Sequence, residues 1–324
     1  MTRASIIITC YNLGEFLQEA LDSALSQTYH DTEVVLVDDG STDKATLALL
    51  DRLAHPRLRV LRGTNQGVAR ARNYGISQAS GEYILPLDAD DRILPQYLAH
   101  AIAILDQRPE VGFVGCHYRT FGLRHTEYRP AAYRLPDMLV ENAAPIASVF
   151  RRGCWEENGG YCAELNSIED WDFWISILEH GHLGVVLPQI FFEYRIRPNS
   201  NLSHIRDPAT YRTRMQLLYQ RHRELYRRHH EEVLLLKDVQ FAQIHSHVAW
   251  LEQQMHNWQQ VAEEREALLA AQGRPTARSM QRRIWWQAQT DRLQRATAGQ
   301  PSLGGKIRAV LSGCWRVVRR RIAG

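Results

Sequence analysis

The feature that most constrains the fold is a regular alternation of short apolar runs and amphipathic stretches over residues 4–118. The apolar runs have the length and the β-branched content of buried strands, and the stretches between them repeat apolar residues at helical spacing. This alternation predicts strands at 4–9, 33–37, 58–61, 83–87 and 111–118, and helices at 15–26, 44–53, 68–79 and 95–106. Such an order gives an α/β, Rossmann-like fold with a mostly parallel sheet and helices on both faces.

The pattern changes twice after residue 118. Residues 119–205 are mixed, with a short helix predicted at 170–179 and two short strands at 184–187 and 191–195. From about 208 to 272, apolar residues recur at helical spacing in a polar background, which predicts paired helices or a coiled coil through which copies of the chain would associate. We therefore expect an α/β domain at 1–205, a helical extension at 206–272 and a tail at 273–324.

The tail differs in charge from the rest of the chain. It holds eleven arginines and one lysine against a single acid, Asp291, a net charge of +11; residues 1–272 then carry −8, because the whole chain carries +3. Residues 306–322 surround an apolar stripe with basic side chains, a pattern typical of amphipathic helices on anionic membranes. A helix packed on protein is the alternative, and no nucleic-acid-binding module accompanies the charge.

Cysteine usage and hydropathy indicate a compartment. The five cysteines form no CxxC pair, and the longest apolar runs fall far short of the ~18 residues needed to span a bilayer. The first residues run into an apolar strand without the layout of a signal peptide. We expect a cytoplasmic protein, peripheral at the inner face of the cell membrane.

Three of the predicted strands end in polar residues. These are Thr9, Tyr11 and Asn12 after the first strand, Asp38 and Asp39 after the second, and Asp88 and Asp90 after the fourth. In open α/β sheets, ligands bind in the crevice outside the carboxyl ends of the strands. A turn or a helix cap would use the same residue types at any one of these places, but three together favour a ligand crevice.

The motifs also narrow the choice of ligand. No Gly-x-Gly-x-x-Gly turn follows the first strand, and no Walker A loop is present, which excludes the common dinucleotide and P-loop sites. Asp88 and Asp90 offer two hard carboxylates, and Mg²⁺ or Mn²⁺ is usually held by such groups together with substrate phosphates. The sequence therefore predicts a metal–diphosphate ligand, with a nucleoside near Asp38.

Four motifs occur in order along this domain: SIIITCYN at 5–12, VDDGSTD at 37–43, NQGVARARN at 65–73 and LDADD at 87–91. In these motifs the chain resembles family 2 glycosyltransferases over about residues 4–204. The resemblance implies a GT-A fold, a nucleotide diphosphate-sugar donor and inverting transfer to an acceptor hydroxyl. It also implies a role in cell-surface glycan assembly, with a glycan or lipid-linked acceptor.

The resemblance continues downstream, with FRR at 150–152, ENGGY at 157–161 and IEDWDFW at 168–174. It implies that Asp170, beside Glu169, is the base that deprotonates the acceptor hydroxyl. The alternative is structural, because acids are favoured in the first turn of a helix and Ser167 with Asp170 resembles a capping box.

The resemblance further implies a set of donor-binding residues. They are Thr9, Tyr11, Asn12, Asp38, Asp39, Asn65, Gly67, Arg72 and Asp88, with the metal on Asp88 and Asp90. A carboxylate at Asp38 or its neighbour would accept from the imide N–H of a pyrimidine, which favours UDP or dTDP. Many relatives have Tyr-Arg-x-His where this chain has Arg197 as the last residue; arginine cannot ligate a metal but pairs with phosphate.

Two other functions remain open at this stage. A nucleotidyltransferase of sugar-nucleotide synthesis also uses an α/β nucleotide fold, but it would not need the motif around Asp170. A non-catalytic GT-A scaffold would use the helical extension and tail for assembly, but it would not need Asp88, Asp90 and Asp170. Release of nucleoside diphosphate, of pyrophosphate or of neither separates the three.

Overall fold

The computed structural model describes residues 3–198 and 207–271 of the chain. Contacts divide the chain into two compact units, residues 1–233 and 234–324. The boundary predicted at 205/206 and the separate tail stay predictions, and the amphipathic segment at 306–322 lies outside the described residues. No helix in the described ranges is long and apolar enough to cross a membrane.

The described residues contain nine strands that form one sheet. The strands are β1 Ala4–Cys10, β2 Thr32–Asp38, β3 Leu58–Arg62, β4 Tyr83–Asp88, β5 Arg92–Ile93, β6 Val111–Gly122, β7 Glu127–Tyr128, β8 Val149–Arg151 and β9 Leu183–Ile196. Their order across the sheet is β3-β2-β1-β4-β8-β6-β9-β5, with β7 paired to β6. β3, β2, β1 and β4 are mutually parallel, and so are β6 and β9, which confirms the prediction of a mostly parallel sheet.

Ten α-helices within the same ranges connect and cover these strands. They are α1 Gly14–Leu25, α2 Lys44–Leu50, α3 Val68–Gln78, α4 Tyr97–Gln107, α5 Leu135–Met138, α6 Arg152–Asn158, α7 Glu169–Glu179, α8 Pro208–Arg221, α9 Arg223–Arg228 and α10 His230–Ala271. A single turn of 3₁₀ helix spans Ala163–Leu165. The helical C-terminal extension predicted from the sequence is confirmed: α8, α9 and the long helix α10 occupy 208–271.

The sheet differs from the prediction in three unpredicted strands, β5, β7 and β8, and in one strand that was predicted as two. β8 was not predicted; it runs antiparallel between β4 and β6 and separates them. The two short strands predicted at 184–187 and 191–195 are one strand, β9. Its pairing with β6 is irregular where Leu187 faces Cys116 and Ile190 faces His117. Pro188 lies in that interval, and a proline cannot donate to the ladder, so the strand bulges there without ending.

Alternating side chains of β1 and β2 form a core on each side of the sheet. Ile6 and Ile8 join the cluster that contains α1 and α4, whereas Ile7 joins the cluster that contains α3 and residues of α6 and α7. Successive side chains of a strand point to opposite faces, so both faces must be covered. The predicted helices on both faces are therefore confirmed.

A third apolar cluster lies within the first unit and fixes α7. Its buried members from α7 are Trp171 and Ile175, and those from α8 and α9 include Met215, Leu218 and Leu225. These helices thus pack on the helix that begins with Glu169 and Asp170. The second unit begins within α10, whose exposed apolar side chains include Leu234, Leu235, Val239 and Trp250.

Candidate active site

The carboxyl ends of β1, β2 and β4 meet at one edge of the sheet. Parallel register aligns Cys10 with Asp38 and Thr9 with Asp88. The Thr9 hydroxyl donates to Asp88 Oδ1 at 3.3 Å, and the backbone N–H of Asp39 donates to the Cys10 carbonyl at 2.9 Å. The structure therefore brings together the strand-end residues that the sequence singled out.

The turn after β1 holds the loop after β2. Asn12 has φ +53°, a left-handed conformation that asparagine tolerates better than most residues. Its Oδ1 accepts from the backbone N–H groups of Thr42 at 2.7 Å and Asp43 at 3.1 Å. Tyr11, which precedes it, is 44% exposed. Asn12 thus positions a loop of the crevice, while the Tyr11 ring is accessible to a ligand.

The two aspartates after β2 fix the backbone around them. Asp38 is buried, and its Oδ1 accepts from the Ser41 N–H at 3.0 Å. Asp39 accepts from the backbone N–H groups of Gln66 at 2.8 Å and Gly67 at 2.9 Å, directly before α3. The Asp39 carboxylate therefore joins the loop after β2 to the start of α3.

Backbone geometry keeps this junction tight. Gly40 has φ +74°, and a Cβ there would lie 2.6 Å from the Asn65 backbone nitrogen, which leaves no room for a side chain. Gly67 has φ +90° and open space around it. Asn65 is exposed. Of the predicted donor-binding residues in this region, Asn65 is accessible at the surface and Gly67 provides an approach for a ligand.

Arg72 lies deep in the site and bridges two carboxylates. Its side chain is buried; one terminal nitrogen donates to Asp88 Oδ1 at 2.8 Å and the other to Glu169 Oε1 at 2.5 Å. The guanidinium also lies 5.6 Å from the centre of the Tyr161 ring. The role of Arg72 in holding the nucleoside stays a prediction; its contacts in this structure are with the strand-end aspartate and with the first acid of α7.

Three aspartates crowd the turn after β4. Burial, and then the charge of Asp88, raises the pKa of Asp90, against the effect of its partner Arg197. Burial, and then the charges of Asp90 and Asp88, raises the pKa of Asp91 well above its ordinary range. Arg197 Nε donates to Asp90 Oδ2 at 2.5 Å, and the Arg195 backbone N–H donates to Asp91 Oδ1 at 2.7 Å. The turn thus concentrates three carboxyl groups that compete for positive charge.

The residues of this turn fit a divalent cation that is completed by substrate. Within the described ranges, no group of three or more His, Cys, Asp or Glu side chains is arranged to hold a metal by itself. The turn instead offers carboxylate oxygens of Asp88 and Asp90, whose mutual repulsion a cation would relieve. Mg²⁺ and Mn²⁺ sites of this kind take one or two carboxylates and fill the remaining positions with phosphate oxygens and water.

Asp170 lies in the first turn of α7, next to Glu169, and its proton affinity is perturbed. Its Oδ1 accepts from the Trp171 N–H at 2.8 Å and its Oδ2 from Asn142 Nδ2 at 3.0 Å. Burial, and then the neighbouring charge of Glu169, raises its pKa to about 7, against the opposing effect of Arg72. A carboxylate with a pKa close to neutral can both take up and release a proton under working conditions.

The structural alternative for the motif at 168–174 had two parts, acids in the first turn of a helix and a capping box, and only the first is present. α7 has acids in its first turn, as the helix dipole favours, but its N-cap is Ile168 and no side chain caps it. Ser167 has φ +75°, a left-handed conformation unusual for serine. The capping box predicted for Ser167 and Asp170 is therefore wrong.

Sequence reasoning missed three residues of the site. Asn142 belongs to an irregular segment with no local signal, and only the fold brings it to Asp170. Asp91 lies in the LDADD motif at 87–91, in which only Asp88 and Asp90 are predicted to bind a ligand. Arg195 Nε donates to the Asp90 carbonyl at 2.7 Å, so the end of β9 holds the turn after β4. Arg195 belongs to the Tyr-Arg-x-Arg segment that ends in Arg197, and this segment is the sequence signal that could have identified it.

The fold has known structural neighbours. S. aureus TarS in complex with UDP-GlcNAc superposes with a TM-score of 0.54 at 22% identity, over 62% of this chain and 60% of that one. A mannosyltransferase from Pyrobaculum calidifontis, in complex with GDP-Man and Mn²⁺, gives a TM-score of 0.51 at 23% identity, over 67% of this chain and 69% of that one. At these identities the likeness establishes the GT-A fold alone.

Together with the GT-A fold, the family match that follows defines the class of the protein as a glycosyltransferase that uses a nucleotide sugar. The family described as "Glycosyl transferase family 2" matches residues 5–157. A PGL/p-HBAD biosynthesis glycosyltransferase of Mycobacterium bovis (strain BCG / Pasteur 1173P2) is 36% identical over 175 residues, which are 52% of this chain and 67% of that protein. The chain belongs to glycosyltransferase family 2. It spans between 19% and 74% of the length of the first curated relatives it matches.

Proposed function

We propose that this protein is an inverting glycosyltransferase that moves a sugar from a nucleotide diphosphate-sugar to an acceptor hydroxyl. The observation that carries the proposal is the place of Asp170 in the first turn of α7, where Trp171 and Asn142 hold its carboxylate and where burial and Glu169 raise its pKa to about 7. Asp170 is joined through Glu169 and Arg72 to Asp88 of the strand-end turn. A base and a diphosphate-binding turn linked in this way are the two groups that a single displacement requires.

Asp170 takes the proton of the acceptor hydroxyl as that oxygen attacks the anomeric carbon. Trp171 and Asn142 each donate a hydrogen bond to one of its oxygens, which fixes the carboxylate plane. Burial, and then the Glu169 charge, keeps the pKa of Asp170 high, and Arg72 prevents it from rising further. Attack from the face opposite the leaving group inverts the anomeric configuration.

The nucleotide would occupy the crevice between the turns after β1 and β2. Tyr11 offers an exposed ring for stacking, and the carboxylates of Asp38 and Asp39 offer acceptors for a pyrimidine imide, which favours UDP or dTDP. Asp88 and Asp90 would hold Mg²⁺ or Mn²⁺ together with the diphosphate. Such a cation supplies a Lewis acid that stabilises the charge of the departing nucleoside diphosphate.

The proposed acceptor and location are inferred from one relative of the chain and from the charge of its C-terminal segment. A relative named for PGL/p-HBAD biosynthesis supports a glycan or lipid-linked acceptor in cell-envelope synthesis. The basic segment at 273–324 supports a cytoplasmic enzyme that is peripheral to an anionic membrane, because each basic residue near such a surface adds about 1 kcal/mol of attraction. Association of copies through the helical extension is part of the same proposal.

A product assay tests the function. The enzyme with a panel of UDP- and dTDP-sugars and Mn²⁺ should release nucleoside diphosphate, and nuclear magnetic resonance of the product should show the inverted anomer. Asp90→Ala should abolish release, whereas Asp51→Ala, which removes an exposed aspartate paired with Arg62, should not. Release of pyrophosphate would identify a nucleotidyltransferase, and a retained anomer would contradict inversion.

A further inference from the structure

We propose that Arg197 occupies Asp90 in the donor-free enzyme, and that Asp90 accepts a divalent cation only when the donor diphosphate draws the guanidinium away. Arg197 is then a positioning residue that makes cation binding depend on the nucleotide. This inference rests on the proposed function, since it assumes that Asp90 is a metal ligand.

The contact itself is short and sheltered. Arg197 Nε lies 2.5 Å from Asp90 Oδ2, with only 12% of the Asp90 side chain and 23% of the Arg197 side chain exposed. A charge-assisted hydrogen bond of this length is stronger than one between neutral groups. A cation that binds this carboxylate must therefore either displace the guanidinium or bind directly beside another positive charge.

Arg197 directly follows β9, and the end of that strand is held next to Asp90. Two residues earlier, the Arg195 backbone N–H donates to Asp91 Oδ1, and its Nε donates to the Asp90 carbonyl at 2.7 Å. These bonds fasten the strand to the turn after β4 through groups that take no part in the Asp90–Arg197 contact. The strand is therefore held at this turn by bonds that do not involve the Arg197 side chain.

The chemistry of arginine supplies the reason for the exchange. Guanidinium presents a planar fork of donors that matches phosphate with two parallel hydrogen bonds, whereas it cannot ligate a metal. The resemblance noted for the motif that ends in Arg197 would place a histidine there in many relatives. With arginine in that place, the protein supplies its own cation to Asp90, and a diphosphate is the ligand that competes for it.

Linkage makes this proposal quantitative. If the nucleotide removes Arg197 from Asp90, nucleotide and metal must raise each other's affinity by the same factor. Phosphate oxygens that ligate the metal also contribute to such coupling. The decisive quantity is therefore the affinity for the metal without nucleotide, which Arg197 lowers and the phosphates cannot affect.

The test is Mn²⁺ binding, followed by electron paramagnetic resonance of the free ion, with and without UDP or dTDP. Arg197→Gln should raise the nucleotide-free Mn²⁺ affinity by about 5-fold to 150-fold, the usual range for coupling between two sites. Arg197→Lys, which keeps the charge but loses the fork, should fall between wild type and Arg197→Gln. Arg119→Gln removes the same charge from an ion pair with Glu193 and should leave Mn²⁺ affinity unchanged.

Each outcome decides the matter. An unchanged nucleotide-free affinity in both Arg197 variants, with binding lost in Asp90→Asn, overturns the role of Arg197 and leaves the metal site standing. Wild-type Mn²⁺ binding in Asp90→Asn overturns both the inference and the metal part of the proposed function. If Arg197→Gln does not fold, as judged by circular dichroism, the Arg197→Lys comparison alone decides.

Discussion

At the scale of single residues, the site places more carboxylates than cations in a small volume. Asp91 Oδ2 and Glu169 Oε2 are buried without a hydrogen-bond partner among the described residues, and Arg72 serves two carboxylates at once. Like charges held in this way raise proton affinities and oppose folding at neutral pH. The site proposed for a cation and for the catalytic proton is therefore also a site of local instability.

Asp170→Asn tests this trade between stability and activity. The folded-state pKa of about 7 lies above the ordinary value of 3.8, so the folded protein binds more protons between them and loses stability as pH rises through that window. Asparagine has no carboxyl group, so the Asp170→Asn variant does not lose stability in this way as pH rises. We expect its Tm to exceed that of wild type at about pH 8 and the difference to shrink by about pH 5, while kcat falls about 10²- to 10⁴-fold.

The fold tolerates this substitution for a specific reason. Asn142 Oδ1 is buried without a described partner, so rotation of its amide would let it accept from the side-chain amide that the substitution introduces. Asp51→Asn, at an exposed ion pair, is the control and should leave the pH dependence of Tm intact. Parallel pH curves for wild type and Asp170→Asn would contradict the prediction, and a rate loss in Glu169→Gln alone would assign the base to Glu169.

At the scale of elements, hydrophobic periodicity predicted the strands and helices that the local sequence determines. It failed for elements whose pairing partners are distant in the sequence. β1, β2 and β4 were predicted because buried parallel strands are short apolar runs. β8 has only three residues, Val149–Arg151, and exists because β4 and β6 both pair with it. The partnership of Arg72 with Glu169 spans 97 positions, so no motif revealed it.

His222, at the junction of α8 and α9, shows how an element can depend on buried charge. Its ring nitrogens lie 2.6 Å from Glu179 Oε2 and 3.0 Å from Asp172 Oδ1, and Arg221 Nε donates to the same Asp172 oxygen at 2.7 Å. Both acids belong to α7. Burial lowers the pKa of His222, but hydrogen bonds to the two carboxylates outweigh it and raise the pKa overall. The charged ring thus fastens α8 and α9 to the helix that carries Asp170.

His222→Gln should therefore destabilise the protein in a pH-dependent way. A raised folded-state pKa gives stability that is complete below the unfolded value of 6.5 and is lost as pH rises through the folded value. We expect a lower Tm at about pH 6, equivalent to about 1–3 kcal/mol, and a smaller loss of Tm toward alkaline pH than in wild type.

A second histidine provides the matched control for this junction. His182→Gln removes a partly exposed contact of 2.9 Å with Glu157 and should cost no more than about 1 kcal/mol, because exposed ion pairs contribute little. Equal effects of the two substitutions, or an unchanged pH profile in His222→Gln, would show that the His222 contacts do not hold α8 and α9.

At the scale of the whole molecule, the charge is divided between a catalytic part and a tail. Every candidate catalytic residue lies in residues 1–272, which carry −8, while residues 273–324 carry +11. The motifs predicted the α/β domain because its ligand edge imposes residue types at fixed places. The tail carries no such constraint, and composition alone predicts its partner.

We expect residues 273–324 to bind anionic membrane and to be dispensable for transfer. Attraction between this segment and acidic lipid is largely Coulombic and weakens with salt, whereas apolar burial would leave a salt-resistant part. Full-length protein should sediment with vesicles that contain phosphatidylserine, less so at high salt and little with phosphatidylcholine alone. A variant ending at Gln272 should stay in the supernatant and still transfer sugar to a soluble acceptor analogue.

A full-length variant with Arg316, Arg319, Arg320 and Arg321 changed to Gln separates the effect of charge from that of chain length and should bind the vesicles weakly. Equal sedimentation of all three proteins would reject the tether, and unfolding of the shortened protein would mean that the tail packs on protein instead.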